Sequence, residues 1–452
     1  MTFLEAVLVL ALAGLVAYPI VRGYRSRSPH ELWSPLVVFS AVYTYYFLVG
    51  PLLSRALGVT QVINVDASPY YYLGWLAGLI GLGSVYVGFS LPIERVVRSG
   101  PPLTAPRLPV VSRSAKVGLV LGTIGIVTWA VGGSTGIGGA FANYVFKLYN
   151  LLLVYYAVMI WRFRARPIAA ALWVGVPFAL AGIGFVQIGF RGPIIEHTIA
   201  VAFFWYLCRG ERPGVITVML GVFGALLFSG VMVLTRSYYS GLNLGVLANY
   251  SWRQLLIGGT ADGVTFGALS MVIERVPSLF GFHYFEFLWI AITFPIPRAL
   301  WTGKPMPEYL TTIQYCVDAN LDTDGGGMAV PHIGEYYLAF GWPGIVICCL
   351  ILGMLCRWMW RWYLQSRDNP FALLTYGAFC GWVFDATHRC YLASTLMIFC
   401  FMELPGYLIA RRYSRRLRPQ EVALPAPKGP APGRGLPPVH RGPMAGTPVR
   451  PR

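Results

Sequence analysis

The stretch YYAVMIWRFRARPIAAALWVGV, residues 155–176, places Arg162, Arg164 and Arg166 between two apolar runs. Followed outward, the runs extend over roughly 145–161 and 167–187, close to the ~20 residues a helix needs to cross ~30 Å of hydrocarbon. A tight cation cluster between two such runs marks a connection held on the cytoplasmic side of a membrane. The same unit recurs along the chain. Further apolar runs cover about 2–21, 34–54, 69–92, 116–133, 193–208, 213–235, 333–356, 370–386 and 391–410, which predicts an all-α polytopic membrane protein of about eleven transmembrane helices.

Alternate connections carry the arginines: Arg22, Arg25 and Arg27; Arg95, Arg98, Arg107 and Arg113; Arg162 to Arg166; Arg209 and Arg212; Arg357, Arg361 and Arg367; and the run from Arg411 to Arg418. The intervening connections are nearly bare. This alternation predicts an outside N-terminus and a cytoplasmic C-terminus. It also explains why the chain carries 35 Lys and Arg against 18 Asp and Glu, a formal net charge of +17, so nucleic-acid binding is not expected. With 56% hydrophobic and 12% charged residues and a mean hydropathy of +0.60, 452 residues are too apolar for a soluble core.

The first run, Phe3 to Ile20, contains Glu5 and lacks a preceding basic segment, so it reads as a retained helix and not as a signal peptide. Seven of the eight cysteines lie in or beside apolar runs, and Cys316 stands in a polar loop without CxxC spacing. Residues 1–418 are read as one transmembrane domain. The Pro- and Gly-rich segment 419–452 is read as a disordered cytoplasmic tail.

One outer connection is long, 236–331. Within it LLIGGTADGVTFGALSMVIERVP (255–277) is predicted as an amphipathic interfacial helix and GFHYFEFLWIAITFPIP (281–297) as a re-entrant or surface-lying segment. If the charge rule sends basic residues inward, the few on the outer side stand apart: Arg191, Arg236, Arg298, Lys304 and Arg389. Each could anchor a helix end. Converging together, their forked donors suit phosphate. Pro295, Pro297 and Pro305 stiffen the backbone around Arg298 and Lys304.

His332 and Glu335 stand three apart on one face of a helix entrance. Glu335 there favours the helix N-terminus electrostatically, and a carboxylate beside cations also suits proton transfer. Asp385 with His388, and Asp262 and Glu274, are further carboxylates of this kind, whereas Glu196 and His197 are expected to face a neighbouring helix. DANLDTDGGG, with Asp318, Asp322 and Asp324, lacks the glycine and closing glutamate positions of a calcium loop. No metal and no cofactor are expected.

GFRG (189–192), the lone Arg236, GGTADG (258–263), FPIPRALWTGKP (294–305), PHIGEYYLAFGWPG (331–344) and Arg389, in this order, resemble the O-antigen polymerase family, the Wzy-type polymerases of oligosaccharide repeat units. The resemblance covers about residues 185–400. It implies a glycosyltransferase of the bacterial cytoplasmic (inner) membrane that uses polyprenyl-diphosphate-linked oligosaccharide as donor and acceptor on the outer leaflet. A chain-length regulator is a candidate partner. Arg191, Arg236, Arg298, Lys304 and Arg389 would bind the diphosphate, and His332, Glu335 or Asp385 would act as base in a metal-independent inverting transfer. An O-antigen ligase-like transferase and a flippase for lipid-linked oligosaccharide are the rival readings. The absence of an evident internal repeat and of charges along mid-span favours an enzyme over a carrier.

Overall fold

A computed structural model describes residues 1–62, 65–92, 108–132, 145–188, 192–237, 241–242, 244–249, 251, 264–296, 300–305, 307–317, 329–388 and 391–417. It is 83% helical. The only strands among the described residues are two-residue pairs, β1 (Gln61–Val62) with β2 (Val65–Asp66) and β3 (Arg236–Ser237) with β4 (Gly241–Leu242), both antiparallel. The 419–452 tail lies outside the described residues.

Every predicted apolar run is helical. The series is α1 (Phe3–Arg25), α2 (Pro35–Tyr43) running through a π-turn into α3 (Gly50–Ala56), α4 (Tyr71–Ser90), α5 (Leu108–Gly132), α6 (Leu152–Arg162) entered by a 3-10 turn at Lys147–Leu151, α7 (Pro167–Ile188), α8 (Gly192–Arg209) and α9 (Val215–Thr235). After the long connection come α13 (His332–Gln365), α14 (Pro370–His388) and α15 (Leu392–Leu417), and the connection itself carries α10 (Val264–Arg275), α11 (Glu286–Thr293) and α12 (Glu308–Val317). Five of the described helical segments are long and apolar enough to cross a membrane: Phe3–Arg25, Pro35–Ala56, Ser68–Ser90, Val110–Thr128 and His332–Gln365. The protein is all-α and of multi-pass build.

Small residues set the closest crossings, as expected where packing and not water exclusion holds helices together. α4 and α13 make the most extensive helix pair. A Cβ at Gly88 would strike the Leu350 carbonyl oxygen, and one at Gly353 would strike that of Val85. Gly74 admits Phe266 and Ser270 of α10.

The Arg-rich connections meet at one end of the bundle. The Arg212 guanidinium donates to the carbonyls of Tyr24 and Ser26, Trp33 Nε1 donates to Glu211 O at 3.3 Å, and Tyr376 Oη donates to Trp33 O at 2.6 Å. His30, Trp161, Arg164, Arg209 and Arg367 line one pocket there. Four connections far apart in sequence therefore share one face, as the alternation of arginines requires.

Two features of the long connection, and one of the helix that follows it, differ from the sequence reading. α10 is not interfacial: Thr265 to Ile273 are all buried, because Gly267, Ala268 and Ser270 are small enough to let it dock on α4. Cys316 is not in a polar loop but wholly buried in α12, and burial pushes its thiol up to about 12 against the opposing pull of the Arg275 guanidinium. α13 is broken at Phe340 and Gly341, where Gly341 has φ +65°, a conformation that favours glycine. The break leaves the Leu338 carbonyl to accept from His283 N at 2.8 Å. α11, at eight residues about 12 Å long, is too short to cross. It packs on α13 and α15 while Phe285, Trp289, Ile292 and Leu300 in and around it remain exposed.

Candidate functional site

Opposite the arginine-rich face, the ends of α6, α8, α13, α14 and α15 gather the titratable residues. His332 opens α13, is 1% exposed and donates from Nδ1 to Thr387 O at 2.7 Å. With the proton on Nδ1, Nε2 is an acceptor, facing Tyr43 Oη at 3.4 Å and Cys349 Sγ at 3.9 Å. The ring thus ties α13 to the last turn of α14.

Glu335, one turn on, is 3% exposed. Its Oε2 accepts from Tyr391 N at 3.3 Å and Leu392 N at 3.1 Å, and its Oε1 accepts from Leu392 N at 3.2 Å. It caps not its own helix but the N-terminus of α15, where the first amides lack intrahelical partners. Tyr391 in that turn has φ 143°, outside the usual range for a residue with a side chain. Glu335 therefore fixes the start of α15 at Tyr391 and Leu392.

Lys304 plays a comparable part. Its Nζ donates to Phe294 O at 3.0 Å and Ile296 O at 2.9 Å and lies over the Phe294 ring at 5.4 Å. These are the carbonyls past the C-terminus of α11, where a cation is favoured, and the contact ties Lys304 to the end of that helix. A second brace stands beside it. His283 bonds Glu286 Oε2 through Nδ1 at 2.6 Å and Thr312 Oγ1 through Nε2 at 2.8 Å, and Glu286 Oε1 accepts from Tyr309 N at 3.4 Å. Glu308 completes a group whose ligand atoms lie within 4.8 Å of one another, close enough for a cation, although both ring nitrogens of His283 already have partners.

The third group is a buried ionic cluster. Glu196, one turn into α8, is 2% exposed. Its helix packs along α14, and Asp385, Tyr149 and Lys147 are the groups that act electrostatically on its carboxyl. The Asp385 side chain is 17% exposed, and His388 Nδ1 stands 4.0 Å from its Oδ1. The sequence reading placed Glu196 and His197 against a neighbouring helix, and both are buried there, with His197 5.3 Å from the Tyr149 ring. It did not single out Lys147. The available signal was a lysine just before an apolar run, at the end of a connection (134–146) with no other basic residue.

Arg191, Arg298 and Arg389, together with Asp262, Asp318, Asp322 and Asp324, lie outside the described residues. The Arg236 backbone pairs with Leu242. Glu274 is exposed.

The chain matches the family model for the O-antigen polysaccharide polymerase Wzy over residues 170–404. The chain belongs to this family. The Wzy match runs from α7 into α15, so it takes in Glu196, His332, Glu335, Asp385, Arg191, Arg236, Arg298, Lys304 and Arg389, while α1 to α6 and Lys147 precede it. Membership implies a polymerase activity of glycosyltransferase type and a lipid-linked oligosaccharide repeat unit as substrate. No curated protein and no solved structure matches the chain.

Proposed function

We propose that this Wzy family member polymerises polyprenyl-diphosphate-linked oligosaccharide repeat units on the outer face of the bacterial cytoplasmic membrane. The observation that carries this reading is the Wzy match over the segment whose helices bring Glu196, His332, Glu335 and Asp385 to one end of the bundle. The arginine-rich connections occupy the other end, so the positive-inside rule puts the titratable end outside.

Arg191, Arg236, Arg298 and Arg389 hold the donor diphosphate and take up the negative charge that grows on it as the sugar leaves, the main electrostatic demand of the reaction. Lys304, held on the end of α11, adds its charge. Of the three candidate bases, His332 and Glu335 are almost wholly buried and bonded to neighbouring backbone, whereas Asp385 is the accessible one. We assign Asp385 as the base for the acceptor hydroxyl. Its carboxylate takes the hydroxyl proton as that oxygen attacks the anomeric carbon, the bond to the diphosphate breaks, and lipid diphosphate departs. Direct displacement inverts the anomeric centre.

Asp385→Asn is expected to lower polymerisation about 100-fold or more at an unchanged level of protein in the membrane. Reconstitution with a lipid-diphosphate-linked repeat unit, resolved on a gel, tests the reaction class. A ladder of rising repeat number is expected. Transfer of a single unit to another lipid core would favour a ligase, and movement of the lipid with no new glycosidic bond would favour a flippase.

A further inference from the structure

At the arginine-rich end of the bundle, four connections far apart in sequence enclose a pocket of about 580 Å³, a size common among small-molecule sites. His30 comes from the 3-10 turn between α1 and α2, Arg164 from the connection after α6, Arg209 from the last position of α8, and Arg367 with Asp368 from the connection after α13. Leu207 and Leu373 supply an apolar wall. The transfer reaction uses none of these residues. The positive-inside rule accounts for arginines on this face one by one, but it does not require their side chains to converge. Arg164 lies over the Trp161 ring at 5.2 Å and Arg209 over the Trp205 ring at 5.0 Å, and a guanidinium laid on an aromatic face keeps its edge donors available for another partner. Arg209 directs Nη2 to Glu211 Oε1 at 3.1 Å, while its Nε is buried with no hydrogen-bond partner among the described residues, as is His30 Nδ1. Neither Arg164 nor Arg367 forms an ion pair among the described residues. Even with Glu211 counted beside Asp368, three guanidiniums stand against two carboxylates. Buried polar atoms without partners are rare in folded proteins and call for a group from outside the chain.

We propose that this pocket binds a phosphate ester, the chemistry shared by phospholipid headgroups and small soluble phosphates, with Arg164, Arg209 and Arg367 as its donors. Forked guanidinium donors match phosphate oxygens in pairs. The leucines and the two tryptophans, residues suited to the membrane–water boundary, fit the glycerol and first methylenes of a phospholipid, and basic pockets between helices at a membrane surface take anionic headgroups in this way. Each arginine belongs to a different connection, so a bound phosphate ties the ends of α6, α8 and α13 together where three cations alone would repel one another. Asp368 opposes a bound anion but leaves the balance of charge positive.

The test measures thermal unfolding of the full-length protein in a neutral detergent against rising phosphatidylglycerol, phosphatidylcholine or soluble glycerol 3-phosphate. Phosphatidylcholine carries the same phosphate without net charge. Wild type is compared with the double variant Arg164→Ala, Arg367→Ala and with Arg166→Ala, which removes an exposed neighbour that does not line the pocket. Phosphatidylglycerol is expected to raise the unfolding temperature of wild type, with a half-maximal concentration at least about tenfold below that of phosphatidylcholine. The double variant is expected to need at least about tenfold more phosphatidylglycerol, and Arg166→Ala to respond within about twofold of wild type. Protection by phosphatidylglycerol alone supports the site with a headgroup as ligand, and matching protection by glycerol 3-phosphate supports it with a soluble ester. Equal protection by the two lipids with none from glycerol 3-phosphate would overturn the proposal. So would a wild-type response in the double variant, or an equal loss in Arg166→Ala, which indicates diffuse charge and no site. If the double variant does not assemble, Arg367→Gln, which changes one exposed side chain, is read against the same ligands, and an unchanged response overturns the proposal.

Discussion

Glu335 and Lys304 illustrate how a charged residue at a membrane boundary can serve a site without touching the substrate. Glu335 holds the first amides of α15, and Lys304 holds the last carbonyls around α11. Each contact steadies a segment adjoining an arginine in the sequence. Truncating a cap of this kind costs about 1–2 kcal/mol, and here it also frees the turn at Tyr391. Glu335→Ala is therefore expected to lower thermal stability in detergent by that amount and to shorten the polymer. Glu335→Gln keeps a carbonyl oxygen for the same amides and should retain most polymer growth. Loss of all polymer in Glu335→Gln with stability intact would instead make Glu335 the base.

At the scale of elements, the break in α13 positions the long connection. Gly341 adopts φ +65°, a Cβ there would come within 3.1 Å of the Phe282 ring, and the freed Leu338 carbonyl takes the His283 amide. Phe340 at the break packs against Phe285 and Phe287, so the FGWPG segment and the loop before α11 fix each other. Gly341→Ala should destabilise by about 1–2 kcal/mol, whereas Gly83→Ala, with open space around its Cβ position, should be neutral or slightly stabilising. Thermal unfolding of the two variants side by side measures the difference. This break could not be read from the sequence beyond the presence of Gly341 and Pro343, because a glycine inside an apolar helix serves equally for close packing, as Gly88 and Gly353 do. Burial of α10 was hidden for a similar reason: its apolar face looks alike whether lipid or α4 covers it.

At the scale of the whole molecule, periodicity and charge made the helices legible, since an apolar run long enough to cross and an arginine cluster at alternate ends are local properties. The site was legible only as residue types. Glu196 and Asp385 lie 189 positions apart, and only the packing of α8 on α14 brings their helices together. The alternation predicts that a single cysteine placed at Arg164 reacts with a membrane-impermeant thiol reagent only from the cytoplasmic side, and one at Gly303 only from the outside, in an otherwise cysteine-free background. The central claim is that the outer cations form the diphosphate site of a polymerase. It is tested most directly by the polymer ladder made by Arg298→Ala and Arg191→Ala at wild-type levels of membrane protein. Loss of every band above the single repeat unit is predicted, and a full-length ladder from either variant would contradict the account.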